Sequence, residues 1–353
     1  MKKNLKLLVF MFIAGAILLS SCSGALGASS WPGISADEEN VYVAYNAAVY
    51  SLRLKDGNLN WQFPGKAESG RSFYAAPELI DGKIIVGDYK NTLHLLDAQS
   101  GISQWEFTGA KGRWIAGAKV KDDLIFAPNG DNNLYALDIN GNVKWKFETQ
   151  QALWSNPLSD DELIYQASMD HYLYAINLSN GVEKWSVDLG GAVVYAPVMG
   201  DNGVIYVSTL ANEILAVDSK SGDILWRVAT ENGLWSQPEA YDGVVYYGDQ
   251  LGIYYALSAE DGSKIWDYKS GEDPIMGGST IIPDGVVFIT ENGKVVALSF
   301  EGELLWTKQV NGKLYASPVV AGESLILGIS QGENIATAFD FSGNVIWNFA
   351  APN

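Results

Sequence analysis

Two histidines, a single cysteine and an oxygen-rich stretch from Asn129 to Asn133 are the residues of this 353-residue chain whose types suit nucleophilic or metal chemistry. A nucleophile needs a base within hydrogen-bond reach, and a metal site needs several His, Cys or carboxylate ligands at workable spacing. His171 follows Asp170 in a turn and has no His or Cys companion at ligand spacing. His94 occupies a position held elsewhere by Tyr135, Tyr174 and Tyr255, where a packed strand side chain is expected. Serines are abundant, but no His is repeatedly placed beside one, so no catalytic constellation emerges. Asn129-Gly130-Asp131-Asn132-Asn133 lacks the downstream Glu of a helix-loop-helix calcium site and reads as a turn. The expectation is a protein without catalytic residues and without a metal.

The residue types that remain are those of recognition. Trp31, Tyr74, Trp114, Trp154, Tyr195, Trp235 and Tyr315, with Met276, recur through the chain, and Arg71, Lys111 and Arg113 concentrate basic charge just before Tyr74 and Trp114. Rings gathered in a circle can grip a peptide or a glycan by broad contact; the alternative is that they wedge between structural units and are buried. Basic loops on an acidic molecule are the natural place for an acidic partner.

What must position these residues is a repeat. A Trp follows a Gly by four residues at Trp61, Trp105, Trp145, Trp185, Trp226, Trp266, Trp306 and Trp347, at intervals of 44, 40, 40, 41, 40, 40 and 41. A period near forty with strand-rich content marks an array of one supersecondary unit. Each unit reads as four strands: one opened by the recurring aromatic, a continuous apolar run such as Val204-Ile205-Tyr206-Val207, a third of the Leu134-Tyr135-Ala136-Leu137-Asp138 type, and a fourth carrying the Trp. Asp-Gly, Asn-Gly and Ser-Gly pairs ahead of the Trp supply the positive φ of a tight hairpin. A forty-residue sheet cannot bury both faces alone, and stacking around an axis leaves no naked end. The expectation is an all-β, eight-bladed β-propeller of four-stranded antiparallel blades over residues 31–353, with the first strands innermost and the recurring aromatics circling one channel mouth.

The pattern Ala-Leu-Asp…Gly-x-x-x-Trp, as in Ala136-Leu137-Asp138…Gly141…Trp145 and Ala216-Val217-Asp218…Gly222…Trp226, resembles the tryptophan-docking motif of the quinoprotein (PQQ)-type propeller repeat. The resemblance implies that each indole lies between the Ala of its own unit and the Gly peptide of the next, where neither surface carries a bulky side chain. Two units depart from it. Ser51 and Leu95 stand at the Ala position in the first and second, and Leu95 is expected to push the Trp105 ring out of the docked geometry. Quinoprotein dehydrogenases bind PQQ and Ca²⁺ and many place adjacent cysteines beside the cofactor; with Cys22 alone no such pair forms, and neither cofactor is expected.

At the N-terminus, Lys2, Lys3 and Lys6 precede an apolar run from Leu7 to Leu19, too short to span a bilayer, and Leu19-Ser20-Ser21-Cys22 resembles a bacterial lipobox. Residues 1–21 are expected to be a signal peptide, Cys22 the lipidated residue, and 22–30 a flexible tether. Cleavage changes the formal charge from −18 (23 minus 41) to −21 (20 minus 41). That charge repels nucleic acid and anionic headgroups, leaving the lipid as the membrane contact. A lipobox followed by one propeller resembles the lipoprotein propellers of the outer-membrane β-barrel assembly machinery. The reading is an exported, anchored scaffold for envelope proteins, at the periplasmic face of the outer membrane or, in a single-membrane organism, at the cell surface, as a monomer or a subunit of a hetero-complex. A propeller that binds a small ligand or glycan is the alternative, and a PQQ-dependent dehydrogenase a more distant one.

Overall fold

A computed structural model describes residues 31–66 and 68–352. The signal segment, Cys22 and the tether lie outside the described residues. Among the described residues thirty-two strands form eight four-stranded antiparallel sheets, each in simple sequence order, so every blade is a meander of consecutive strands. Blade 1 comprises β1 Gly33–Ala36, β2 Asn40–Tyr45, β3 Ala48–Arg53 and β4 Leu59–Phe63. Blades 2 to 8 follow at residues 78–107, 119–148, 158–188, 198–229, 239–269, 279–309 and 319–349. The first strands of successive blades touch one another, for example Glu78–Ile80 against Lys119–Lys121, which places them at the axis.

Burial follows from this layout. The second strands are mostly apolar because a neighbouring blade covers each face, and Val204–Thr209 is buried along its whole length, Ser208 and Thr209 included. Fourth strands form the outer rim and alternate between exposed and partly covered, as in Val143–Glu148. The eight hydrophobic clusters each join two adjacent blades, so the core is a ring of interfaces and not a single centre.

The turn before each docking Trp behaves as its sequence requires. Gly57, Gly101, Gly141, Gly181, Gly222, Gly262, Gly302 and Gly343 have φ between 70° and 86°. Their missing Cβ serves a second purpose: an added Cβ on Gly101 would fall 2.5 Å from the Trp61 ring, and one on Gly181 2.7 Å from Trp145. Every docking indole also donates Nε1–H to a carbonyl of the next blade, from Trp61 to Ala98 O (2.9 Å) round to Trp306 and Phe341 O (2.8 Å). The last, Trp347, donates to Leu54 O at 2.8 Å, and its ring covers Gly57. The ring therefore closes by side-chain docking between blade 8 and blade 1, with no strand exchanged between them.

The expected displacement of Trp105 does not occur. Its Nε1 donates to Ile139 O at 2.8 Å and its ring faces Gly141 like the others. In blades 1, 3, 4, 5 and 6 the small residue faces an aromatic on the second strand, as in the pairs Ser51 with Tyr42, Ala136 with Phe126 and Ala216 with Tyr206. In blade 2 the partner of Leu95 is Ile85. The larger side chain on one strand is matched by a smaller one on its neighbour, so the Trp keeps its space.

Candidate functional site

The segments linking each fourth strand to the next blade's first strand, and the hairpins between second and third strands, meet at one mouth of the channel. The recurring aromatics lie there, but they do not form one uniform circle. Tyr74, Trp154, Trp235 and Tyr315 each precede the first strand of their blade by four residues, whereas Trp114 precedes Lys119 by five and Tyr195 precedes Val198 by three. A one-residue offset in extended chain turns a side chain to the other side. Trp114 accordingly points between blades 2 and 3 and is only 1% exposed, in the row otherwise held by Phe73, Leu153, Val193, Leu234, Ile275 and Leu314. Gly87 makes the room, since a Cβ there would lie 2.2 Å from Trp114 Cβ. Tyr195 crosses the mouth from blade 5 to blade 7 and donates its hydroxyl to Met276 O at 2.6 Å. Burial pushes its phenol up.

Three indoles remain open, Trp31, Trp154 and Trp235 at 44, 41 and 42% exposure. Trp31 belongs to an arc of rings. It meets Tyr74 edge-on at 5.3 Å and Tyr315 at 6.2 Å, Tyr74 stacks on Tyr89 at 4.1 Å, and the Arg113 guanidinium sits 5.0 Å over Tyr89. Burial and the neighbouring Tyr74 push the Tyr89 phenol up to about 12. Tyr89 is absent from the aromatic pattern of the sequence because it lies in a hairpin after the second strand. Its place two residues from Gly87, on the blade that Arg113 enters beside, is the signal that marks it.

Arg71 is committed inward. Its Nε lies 3.0 Å from Asp88 Oδ2, its Nη1 donates to Glu68 Oε1 at 3.2 Å, and Asp88 also pairs with His94 Nε2 at 3.0 Å. Burial raises the Asp88 carboxyl, but the His94 ring, the Thr92 amide and Arg71 outweigh it and hold it below its usual range. His94 is fully buried, with Nδ1 3.3 Å from Glu106 Oε1. It repeats the Tyr255–Asp249 pair of blade 6, where the ring six residues after the hairpin Asp again bonds its carboxylate, so its position is architectural. His171 sits exposed in a turn with φ 80°.

The Asn129–Asn133 stretch spends its oxygens on its own hairpin and on the loop entering blade 3: Asn129 Oδ1 accepts from Asp131 N and Gly112 N, and Asp131 Oδ2 from Tyr135 OH and Lys111 N. Among the described residues no three His, Cys, Asp or Glu side chains are grouped to hold a metal. Further down the channel the first strands begin with Gly33, Glu78, Lys119, Leu158, Val198, Glu239, Ser279 and Val319; Lys119 Nζ lies 3.7 Å from Glu78 Oε1, and burial raises both glutamates, Glu239 to about 7.

The fold and this mouth define a PQQ-type repeat propeller whose open face carries aromatic and charged loops. The sequence profile of the family described as outer membrane protein assembly factor BamB matches residues 20–113, 109–195, 185–283 and 256–353, and the chain belongs to that family. The chain is similar to outer membrane protein assembly factor BamB of Bordetella pertussis, 22% identical over 334 residues that cover 90% of this chain and 84% of that one. The crystal structure of BamB from Moraxella catarrhalis superposes with a TM-score of 0.73 at 16% identity, covering 87% of this chain and 96% of that one. The computationally designed Ika8 protein gives 0.75 at 13% identity over 90% of this chain and 98% of its own. A designed and a natural protein matching equally well shows that these superpositions report architecture, and function has to be read from the mouth.

Proposed function

We propose that this chain is a lipid-anchored scaffold of the cell envelope that holds partner proteins at its propeller mouth during outer-membrane protein assembly. The observation that carries the reading is the family match along the whole propeller. The half-exposed Trp31, Trp154 and Trp235, which are not among the eight docking indoles, support the mouth as the contact face. On this reading the protein has no catalytic step, and Cys22 supplies the membrane attachment through its lipid, leaving the acidic ring free to face the periplasm.

The test is photo-cross-linking from mouth positions in the native membrane, with and without Cys22→Ala. Specific adducts with envelope proteins, lost or relocated in the variant, are expected. A wild-type pattern from a correctly cleaved Cys22→Ala protein would refute the anchor, and adducts absent from every mouth position would refute the scaffold. A glycan-binding propeller is the second reading, favoured by the open indoles, whose flat faces suit sugar rings. Saturable binding of a neutral oligosaccharide abolished by Trp154→Ala and Trp235→Ala would establish it instead.

A further inference from the structure

The mouth is electrically divided. Loops 64–74, 88–92, 108–114 and 129–132, around blades 1 to 3, carry Lys66, Arg71, Lys90, Lys111 and Arg113 against Glu68, Asp88 and Asp131, five minus three or +2. Loops 230–235, 249–252, 270–276 and 290–293, around blades 5 to 7, carry Glu231, Asp249, Glu272, Asp273 and Glu291 with no Lys or Arg, a total of −5. Adding Lys294, whose Nζ donates to Ser270 O, and Lys313, whose Nζ lies 3.4 Å from Glu291 Oε1, leaves −3 (2 minus 5). In an eight-bladed ring these two groups of loops lie on opposite sides of the axis.

On the basic side the charges differ in availability. Arg71 is bound to Asp88 and Glu68, and Lys90 pairs with Glu68 at 3.6 Å. Lys66, Lys111 and Arg113 are exposed and have no carboxylate partner among the described residues. Arg113 is already held over Tyr89, at one end of the arc that runs through Tyr74 to the half-open Trp31. A cation stacked on a ring keeps its outer donors free and has less conformational freedom to lose on binding.

We propose that this arc, from Trp31 to Arg113, is a docking surface for an acidic peptide segment of a partner protein, with carboxylates meeting Lys66, Lys111 and Arg113 and an aromatic side chain against Trp31. The proposal rests on the scaffold reading and deepens it. Charge complementarity selects the occupant: on a mature chain of net −21 (20 minus 41) this is the side of the mouth with a local positive balance, and the opposite side repels the same segment and fixes its direction. A balance of +2 built on three free cations is too small for a polybasic membrane contact, which takes clusters of about 4–8.

The test uses the full mature chain in detergent and a fluorescein-labelled peptide alternating Asp and Glu with Phe and Tyr, followed by anisotropy. Saturable binding is expected that weakens with added salt. It should fall about tenfold or more for Trp31→Ala and for the double variant Lys111→Glu/Arg113→Glu, as for hot-spot contacts. Lys184→Glu, on the outer strand of blade 4, should leave it unchanged. Thermal melting within a few degrees of wild type certifies that the variants are folded. Equal binding of a peptide with Ser in place of Asp and Glu, unchanged affinity in both variants, or displacement by anionic vesicles and not by excess peptide would overturn the proposal. Cross-linking separates the two failures. Envelope-protein adducts from Trp154 or Trp235 that survive the double variant would reject this surface and keep the scaffold, whereas adducts from no mouth position would reject both.

Discussion

Ring closure makes Trp347 the most informative residue to remove. Its indole is 6% exposed, covers Gly57 and donates to Leu54 O at 2.8 Å across 293 residues of sequence. Trp347→Ala removes a large buried ring, at a cost of about 3–5 kcal/mol, and leaves the Leu54 carbonyl without its donor, a penalty of about 1 kcal/mol that overlaps the first. A total near 4 kcal/mol is a large share of the roughly 5–15 kcal/mol that holds a domain together. At about 2–4 °C per kcal/mol for a protein of this size class, the melting temperature should fall by about 8–16 °C. Trp226→Ala is the control, because it breaks an equivalent bond, 3.1 Å to Ala259 O, between blades that the chain also connects covalently. Blades 8 and 1 have no such connection, so opening there needs no chain to be stretched. Hydrogen exchange should therefore show protection lost in blades 1 and 8 for Trp347→Ala at temperatures where Trp226→Ala is still uniformly protected. Identical exchange maps, or a loss below about 1 kcal/mol, would refute closure by docking.

Because Trp105 is docked like the rest, Trp105→Ala should cost the same as Trp226→Ala to within about 1 kcal/mol by calorimetry, and Leu95→Ala should itself destabilise by about 2–5 kcal/mol through the cavity it leaves. Glu239 has its carboxyl raised by burial from 4.5 to about 7. Protonation thus favours the folded state: the contribution is full below about pH 4.5 and is lost as pH rises through about 7. Glu239→Gln should be more stable than wild type at pH 8 by up to about 3 kcal/mol, with little difference at pH 4.5, as read from denaturant midpoints. His94→Leu, which strips one partner from the fully buried Asp88 while Arg71 and the Thr92 amide remain, should destabilise by about 1–3 kcal/mol, and Asp88→Asn/His94→Leu should recover part of that loss.

Much of the architecture was written locally. The Gly-x-x-x-Trp spacing, the turn pairs and the apolar second strands each depend on a few adjacent residues, and repetition made a weak local signal unambiguous. The mouth was only partly legible. Trp114 and Tyr195 share a residue type and approximate spacing with Trp154, yet one is buried and the other spans the mouth. Their distance to the following first strand, five and three residues against four, was present in the sequence, but its consequence depends on what the neighbouring blade offers, as Gly87 does for Trp114. Leu95 failed as a guide for the same reason: its effect on Trp105 depends on Ile85, a partner across the sheet.

What the sequence determined by itself is the repeat: eight blades, their hairpins, and the Trp that fastens each to the next, because these follow from backbone preferences and periodic burial. What the tertiary structure alone decided is which blade meets which across the seam, which aromatics stay open, and that the basic loops of blades 1 to 3 face acidic loops across the axis. Those outcomes are set by contacts between residues up to 293 apart, such as Trp347 and Leu54, and no local pattern encodes a distance of that kind until the ring is closed.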